Sequence, residues 1–91
     1  MTEFEWDEAK QVANLEKHGI DFVAAREIFD GRDVYTRSSW RDGEARFATT
    51  GYIGTVMYTA IWTLRATSIR LISVRRARDA EEREYRQLHR R

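Results

Sequence analysis

Ser68-Ile-Arg-Leu-Ile-Ser-Val-Arg-Arg-Ala-Arg78, running straight into Asp79-Ala-Glu-Glu-Arg-Glu-Tyr-Arg-Gln-Leu88, holds the two signals that decide the fold. The first half is β-branched and apolar, punctuated by Arg70, Arg75 and Arg76, and predicts a strand. The second opens with Asp79 as N-cap and Glu82 three residues on, a capping-box spacing that starts a helix toward Leu88. A strand held between neighbours would fix its guanidiniums, and the helix would carry Tyr85 back across the strand's end. Fixed guanidinium forks beside a phenol suit a phosphodiester better than a hydrophobic core.

Moving back along the chain, Thr55 to Leu64 is apolar on both faces, as a central strand should be, and Arg65-Ala66-Thr67 turns it into Ser68. Glu44 to Tyr52 alternates cleanly. Ala45, Phe47 and Thr49 face one way, Glu44, Arg46 and Ala48 the other, and Ile53-Gly54 supplies the following turn. Val34-Tyr35-Thr36 reads as a short edge strand, and Ser38 to Gly43 as a polar loop with Trp40 at its centre. Short connections make the last three strands an antiparallel meander.

Before Asp33 the period is helical. Asp7 caps a helix running to about His18, where Gly19 stops it, with Ala9, Val12 and Ala13 as the stripe toward the sheet. Lys10, Asn14 and Lys17 form a separate polar stripe that reads equally as a solvated face or a ligand-facing one. Asp21 caps a second helix, Phe22 to Phe29, and Phe4 and Trp6 read as core aromatics stapling the first. The expected fold is α+β. Two N-terminal helices pack on a mainly antiparallel four-stranded sheet, a C-terminal helix follows, and residues 1–91 form one domain. The final helix has no broad apolar stripe, so it is either loosely docked or completed by a partner chain.

Composition narrows the function classes. Apolar residues are 42% and charged residues 34%, so the chain is globular with a heavily charged surface. There is no cysteine, hence no disulfide framework and no thiolate metal site. No apolar run approaches the roughly 18 residues of a membrane span and the N-terminus is acidic, so the expectation is a cytoplasmic protein with no membrane contact. Charge is divided along the chain. Residues 1–45 hold 6 Lys/Arg against 11 Asp/Glu, a net of −5, whereas residues 46–91 hold 10 against 4, a net of +6. Either the halves neutralise each other or one side faces a polyanion.

Candidate site residues follow from chemistry. Glu44 and Arg46 share a strand face by their spacing of two, as do Arg70 and Arg76, while Arg75 has the opposite parity unless a bulge re-aims it. Arginines stabilise charge developing on a phosphate but do not exchange protons near neutrality. Acid–base work therefore falls to Glu44, Lys10, Lys17, His18, His89 or Tyr85, although His18 equally suits a helix C-terminus and His89 is discounted as part of a frayed tail. Trp40 is placed either to stack on a base or to anchor its loop. Glu81, Glu82 and Glu84 read as helix-surface charges, and no metal-ligand spacing is present, so any catalysis is expected to need no metal or other cofactor.

Three blocks then resemble one family. Phe4-Glu5-Trp6-Asp7-Glu8-Ala9-Lys10 with Asn14 and Lys17-His18-Gly19-Ile20 resembles the start of BrnT-type toxins. Asp42-Gly43-Glu44-x-Arg46-Phe47 and Ile69 to Ala77 are similar to its middle and late blocks, and Glu81-x-Arg83-x-Tyr85 completes the pattern. The resemblance implies a RelE-like fold and the toxin half of a type II toxin–antitoxin pair. It implies a metal-independent endoribonuclease that arrests translation. The partner it implies is a ribbon-helix-helix antitoxin, through which alone the complex would reach operator DNA. It places the family's basic and aromatic positions on Arg46, Arg70, Arg75 and Tyr85, with Lys10, Lys17 and His18 beside them. Arg46 and Arg75 would hold the scissile phosphate, and Arg70, Arg76 and Trp40 would extend the RNA contact. The competing reading is a non-catalytic partner-binding module that acts as co-repressor.

Overall fold

The structure, a computed structural model, describes residues 2–90, so both ends of the expected 1–91 domain lie just outside the described residues. The elements run β1 (Glu3–Glu5), α1 (Glu8–His18), α2 (Phe22–Ala25) continuing into a 3-10 turn (Arg26–Phe29), β2 (Tyr35–Arg41), β3 (Glu44–Ile53), β4 (Val56–Arg65), β5 (Ser68–Arg76) and α3 (Asp79–Leu88). The sheet order is β1-β5-β4-β3-β2. From β2 to β5 the chain is an antiparallel meander, as its short connections require.

The sheet has five strands rather than the expected four. The additional one is β1, which pairs parallel with β5 through Glu3↔Ser68, Phe4↔Ile69 and Glu5↔Arg70. Three residues with one apolar side chain carry no strand period, and a parallel partner far along the chain leaves no turn to mark it. Phe4 and Trp6 are nonetheless core aromatics, edge-on to Phe29 at 5.6 Å and to Phe22 at 5.9 Å. β2 also exceeds the expected three residues, reaching Arg41, so Trp40 stands on a strand and not in a loop. Its hairpin closes on Asp42-Gly43, both with positive φ (50° and 76°), the twist a two-residue turn between strands prefers. As an edge strand exposed along almost its whole length, β2 needs no apolar period.

Asp7, Gly19 and Asp21 act as expected. The Asp7 carboxylate accepts from the Lys10 N–H at 3.2 Å, Gly19 takes the left-handed conformation (φ 67°), and Asp21 accepts from the Val23 N–H at 2.7 Å. The face of α1 is different from the expectation. Val12 is 58% exposed and Ala9 and Ala13 point outward, whereas Asn14 is buried at 7%. Asn14 Nδ2 donates to Val74 O (2.9 Å) and Ile20 O (3.3 Å), and its Oδ1 accepts from Val74 N (3.0 Å) and Ser73 Oγ (3.1 Å). β1 stops at Glu5, which leaves the outer edge of β5 unpaired beyond Arg70. There the Asn14 amide takes the place of a neighbouring peptide, and the polar residue of the stripe is the one that faces the sheet.

A bulge lies next to that contact. Trp62 pairs with Leu71 but Ile61 pairs with Ser73, which leaves Ile72 as the extra residue. One inserted residue inverts the parity beyond it, so Arg75 joins Arg70 on one face and Arg76, paired with Tyr58, points to the other. Phe22, Ala25 and Ile28 pack on Ala60, Leu71 and Val74 of the helix-covered face to form the core. α3 lies on the opposite face, where its Glu81 reaches Thr59 and Arg75.

Replacing Asn14 by Ala removes four hydrogen bonds and orphans the N–H and C=O of Val74, a residue with no exposure. The expected destabilisation is about 2–4 kcal/mol in urea unfolding. Val12→Ala, on the outward face, should stay within about 0.5 kcal/mol of the parent.

Candidate active site

Period-two geometry collects the basic side chains of the open face. Arg37, Ser39 and Arg41 come from β2, Arg46 and Ala48 from β3, Ile61 from β4 and Arg75 from β5. With Arg78 from the link to α3 they line a trough of about 310 Å³. Five guanidiniums therefore face one concavity.

Their counter-charges are few. Arg46 is held loosely, by Glu44 at 3.4 Å and Asp42 at 3.5 Å, and Glu44 also meets Arg65 at 3.4 Å. Among the described residues Arg41 and Arg78 have no ion pair. Arg75 and Arg37 share a single carboxylate, that of Glu81. Arg75 grips it with two bonds, Nη1 to Oε1 at 2.7 Å and Nη2 to Oε2 at 2.9 Å, and Arg37 Nη2 reaches Oε2 at 2.6 Å. The Thr59 hydroxyl (3.0 Å) and the Arg78 N–H (2.8 Å) complete the shell on Oε1.

Glu81 is 2% exposed and so is no helix-surface charge, a correction to the sequence reading. Its contact with the Arg78 N–H is the N3-to-N-cap half of a capping box, with Arg78 as N-cap one residue before the expected Asp79; the donor-only guanidinium cannot supply the other half. Arginine is not an N-capping type, which is why the pattern reads one residue late. Burial alone would raise the carboxyl, but the bonds from Arg75, the Arg78 N–H and Thr59 outweigh it and hold the group down at about 2.

The expected site residues separate into distinct places. Arg46 and Arg75 meet in the trough, with Glu44 bonded to Arg46 at its margin. Arg70 shares their face but is tied to Glu5 at 3.2 Å, beside β1. Arg76 is on the other face, against the expectation that it accompanies Arg70. Trp40 is 74% exposed, but strand alternation points it away from Arg37 and Arg41. Lys10, Lys17 and His18 line a separate cleft with Ile72 and Ser73 at the bulge. Tyr85 lines a third with Tyr52, Arg32 and Asp33, its ring edge-on to Tyr52 at 5.6 Å. Arg37, Arg41, Arg78 and Glu81 were not among the expected site residues. The spacing Arg37-x-Ser39-x-Arg41 was the available signal for two of them.

Fold and trough define a small α+β protein with one arginine-lined, concave sheet face. The chain belongs to the family of the ribonuclease toxin BrnT of type II toxin–antitoxin systems, whose family model matches residues 6–81. No curated protein matches it. Membership makes it a ribonuclease toxin and implies a cognate antitoxin as its partner.

With its folded value near 2 against an ordinary 4.5, Glu81 adds stability that is complete above about pH 4.5 and is lost as pH falls toward 2. The difference in melting temperature between the parent and Glu81→Gln should be widest at neutral pH and close across that window. Paired thermal melts from pH 7 downward check it.

Proposed function

We propose that the trough holds the RNA backbone and that the protein is a metal-independent endoribonuclease, cleaving RNA and so inhibiting translation. The observation that carries this reading is the convergence of Arg37, Arg41, Arg46, Arg75 and Arg78 on one concavity in a ribonuclease-toxin family member. Cleavage requires a proton to leave the 2′-hydroxyl, the 2′-oxygen to attack phosphorus, and the 5′-oxygen to depart with a proton. Preorganised guanidiniums lower the cost of the charge that builds on the phosphate oxygens. Proton transfer needs another group, and Glu44 is the acid–base residue bonded to the trough. Glu81 is unsuited to it, because five donors already occupy its two oxygens.

The antitoxin, in this reading, is of the ribbon-helix-helix type and covers the trough with an acidic segment. Its opposite charge meets the arginines where RNA would lie. Operator DNA is reached through that partner.

Arg46→Ala and Arg41→Ala should each lower cleavage of a defined RNA by about 10²-fold, the scale seen when a donor to developing charge is removed. Both should relieve growth arrest on induction, whereas Arg26→Ala, on the 3-10 turn, should not. EDTA should leave the parent's cleavage unchanged. Growth arrest by a parent that leaves RNA intact would favour the co-repressor module.

A further inference from the structure

We infer that Glu81 is the positioning residue of the trough, a buried carboxylate on α3 that fixes Arg37 and Arg75 in the geometry that receives an anionic ligand. This rests on the reading of the trough as the anion site. β2 and β5 are separated by β3 and β4, so their backbones stand about 14 Å apart at ordinary strand spacing. Two guanidiniums brought from that distance repel each other and have no reason to converge unless a counter-charge lies between them.

Glu81 is that counter-charge. Its side chain is 1% exposed, whereas Arg75 is 15% and Arg37 44% exposed, so the carboxylate lies beneath and the arginines extend from it toward solvent. A guanidinium has five N–H donors. Arg75 uses two on Glu81 and one on Arg76 O, and Arg37 uses one on Glu81. Both therefore retain donors for a ligand. The Arg78 N–H fastens the same carboxylate to the start of α3, and Thr59 fastens it to the middle of the sheet. Anchoring of the helix and aiming of the arginines are done by one group.

Charge and geometry predict opposite outcomes, which makes the role testable. Removing an anion from among arginines should tighten the binding of another anion if only charge counts. If Glu81 aims the guanidiniums, its loss should weaken binding. Isothermal titration with inorganic phosphate, at a temperature where circular dichroism shows each variant folded, measures the difference. A titration with a 2′-O-methyl oligoribonucleotide, which cannot be cleaved, runs beside it. Glu81→Gln should bind phosphate about tenfold or more weakly than the parent, since it replaces charge-assisted bonds to both arginines. Thr59→Val removes one bond to Glu81 and no charge, and should weaken binding about two- to threefold.

Equal or tighter phosphate binding by Glu81→Gln would overturn the inference, because a helix anchor alone lowers the melting temperature without changing affinity below it. Should Glu81→Gln fail to fold, unchanged binding by Thr59→Val would overturn it instead. A parent that binds phosphate but not the oligoribonucleotide removes the RNA reading and leaves the positioning role standing. A parent that binds neither removes both.

Discussion

A carboxylate out of water is tolerable only when its lone pairs are met, and Glu81 meets that condition with two arginines, a hydroxyl and a backbone amide. The rest of the open face depends on this arrangement. α3 has little apolar surface with which to dock, and Glu81 is its buried residue. The helix is thus held by a polar anchor where most helices use an apolar stripe. Removing Arg75 would take two of the five donors from a buried carboxylate, so the ionised Glu81 depends on the arginine that it in turn holds.

A second constraint lies at the other edge of the sheet. β1 is too short to cover β5, and the strand would otherwise present bare peptide groups to α1. Asn14 meets the peptide groups of Val74, immediately after the bulge at Ile72. The bulge is what turns Arg75 onto the open face. With regular alternation Arg75 would share the core face of Ile69 and Leu71, and Arg76 would stand in the trough in its place. A side-chain amide on α1 therefore supports a strand irregularity on which the arginine cluster depends.

Local signals made much of the fold legible. Asp7, Gly19 and Asp21, the alternation of β3 and the apolar runs of β4 and β5 act over a few residues and place α1, the start of α2 and these strands to within one or two positions. The second helix, however, is α only to Ala25 and 3-10 from Arg26 to Phe29. What escaped the sequence depends on distant partners. β1 exists only because β5 is beside it, and β2 needs no period of its own because it lies at an edge. Asn14 and Glu81 were misread for one reason, that a polar side chain is presumed to face solvent unless its partners are known. For Asn14 the partners are mainly backbone groups about 60 positions on in the chain. For Glu81 one of them is Arg37, 44 positions back. In the site, Arg46 and Arg75 were legible as arginines on strands, but their neighbours Arg37 and Arg41 lay in what reads as one strand tip and a loop.

The two faces of the sheet divide the labour, and the division explains why the site is built from arginine. α1 and α2 cover one face with the apolar core, so the other face is free of the need to bury apolar side chains. That other face is crossed by a helix anchored through charge, and is left concave between β2 and β5. Lysine would be a poor substitute there. A single ammonium cannot grip both oxygens of Glu81 in a fork and still present further fixed N–H groups, whereas a planar guanidinium does both from one position. Arg75 shows this directly, bonding both carboxylate oxygens and a backbone carbonyl while still lining the trough. The acid sensitivity of the cluster lies in the carboxylate beneath the arginines, which their bonds hold at about 2 against its burial.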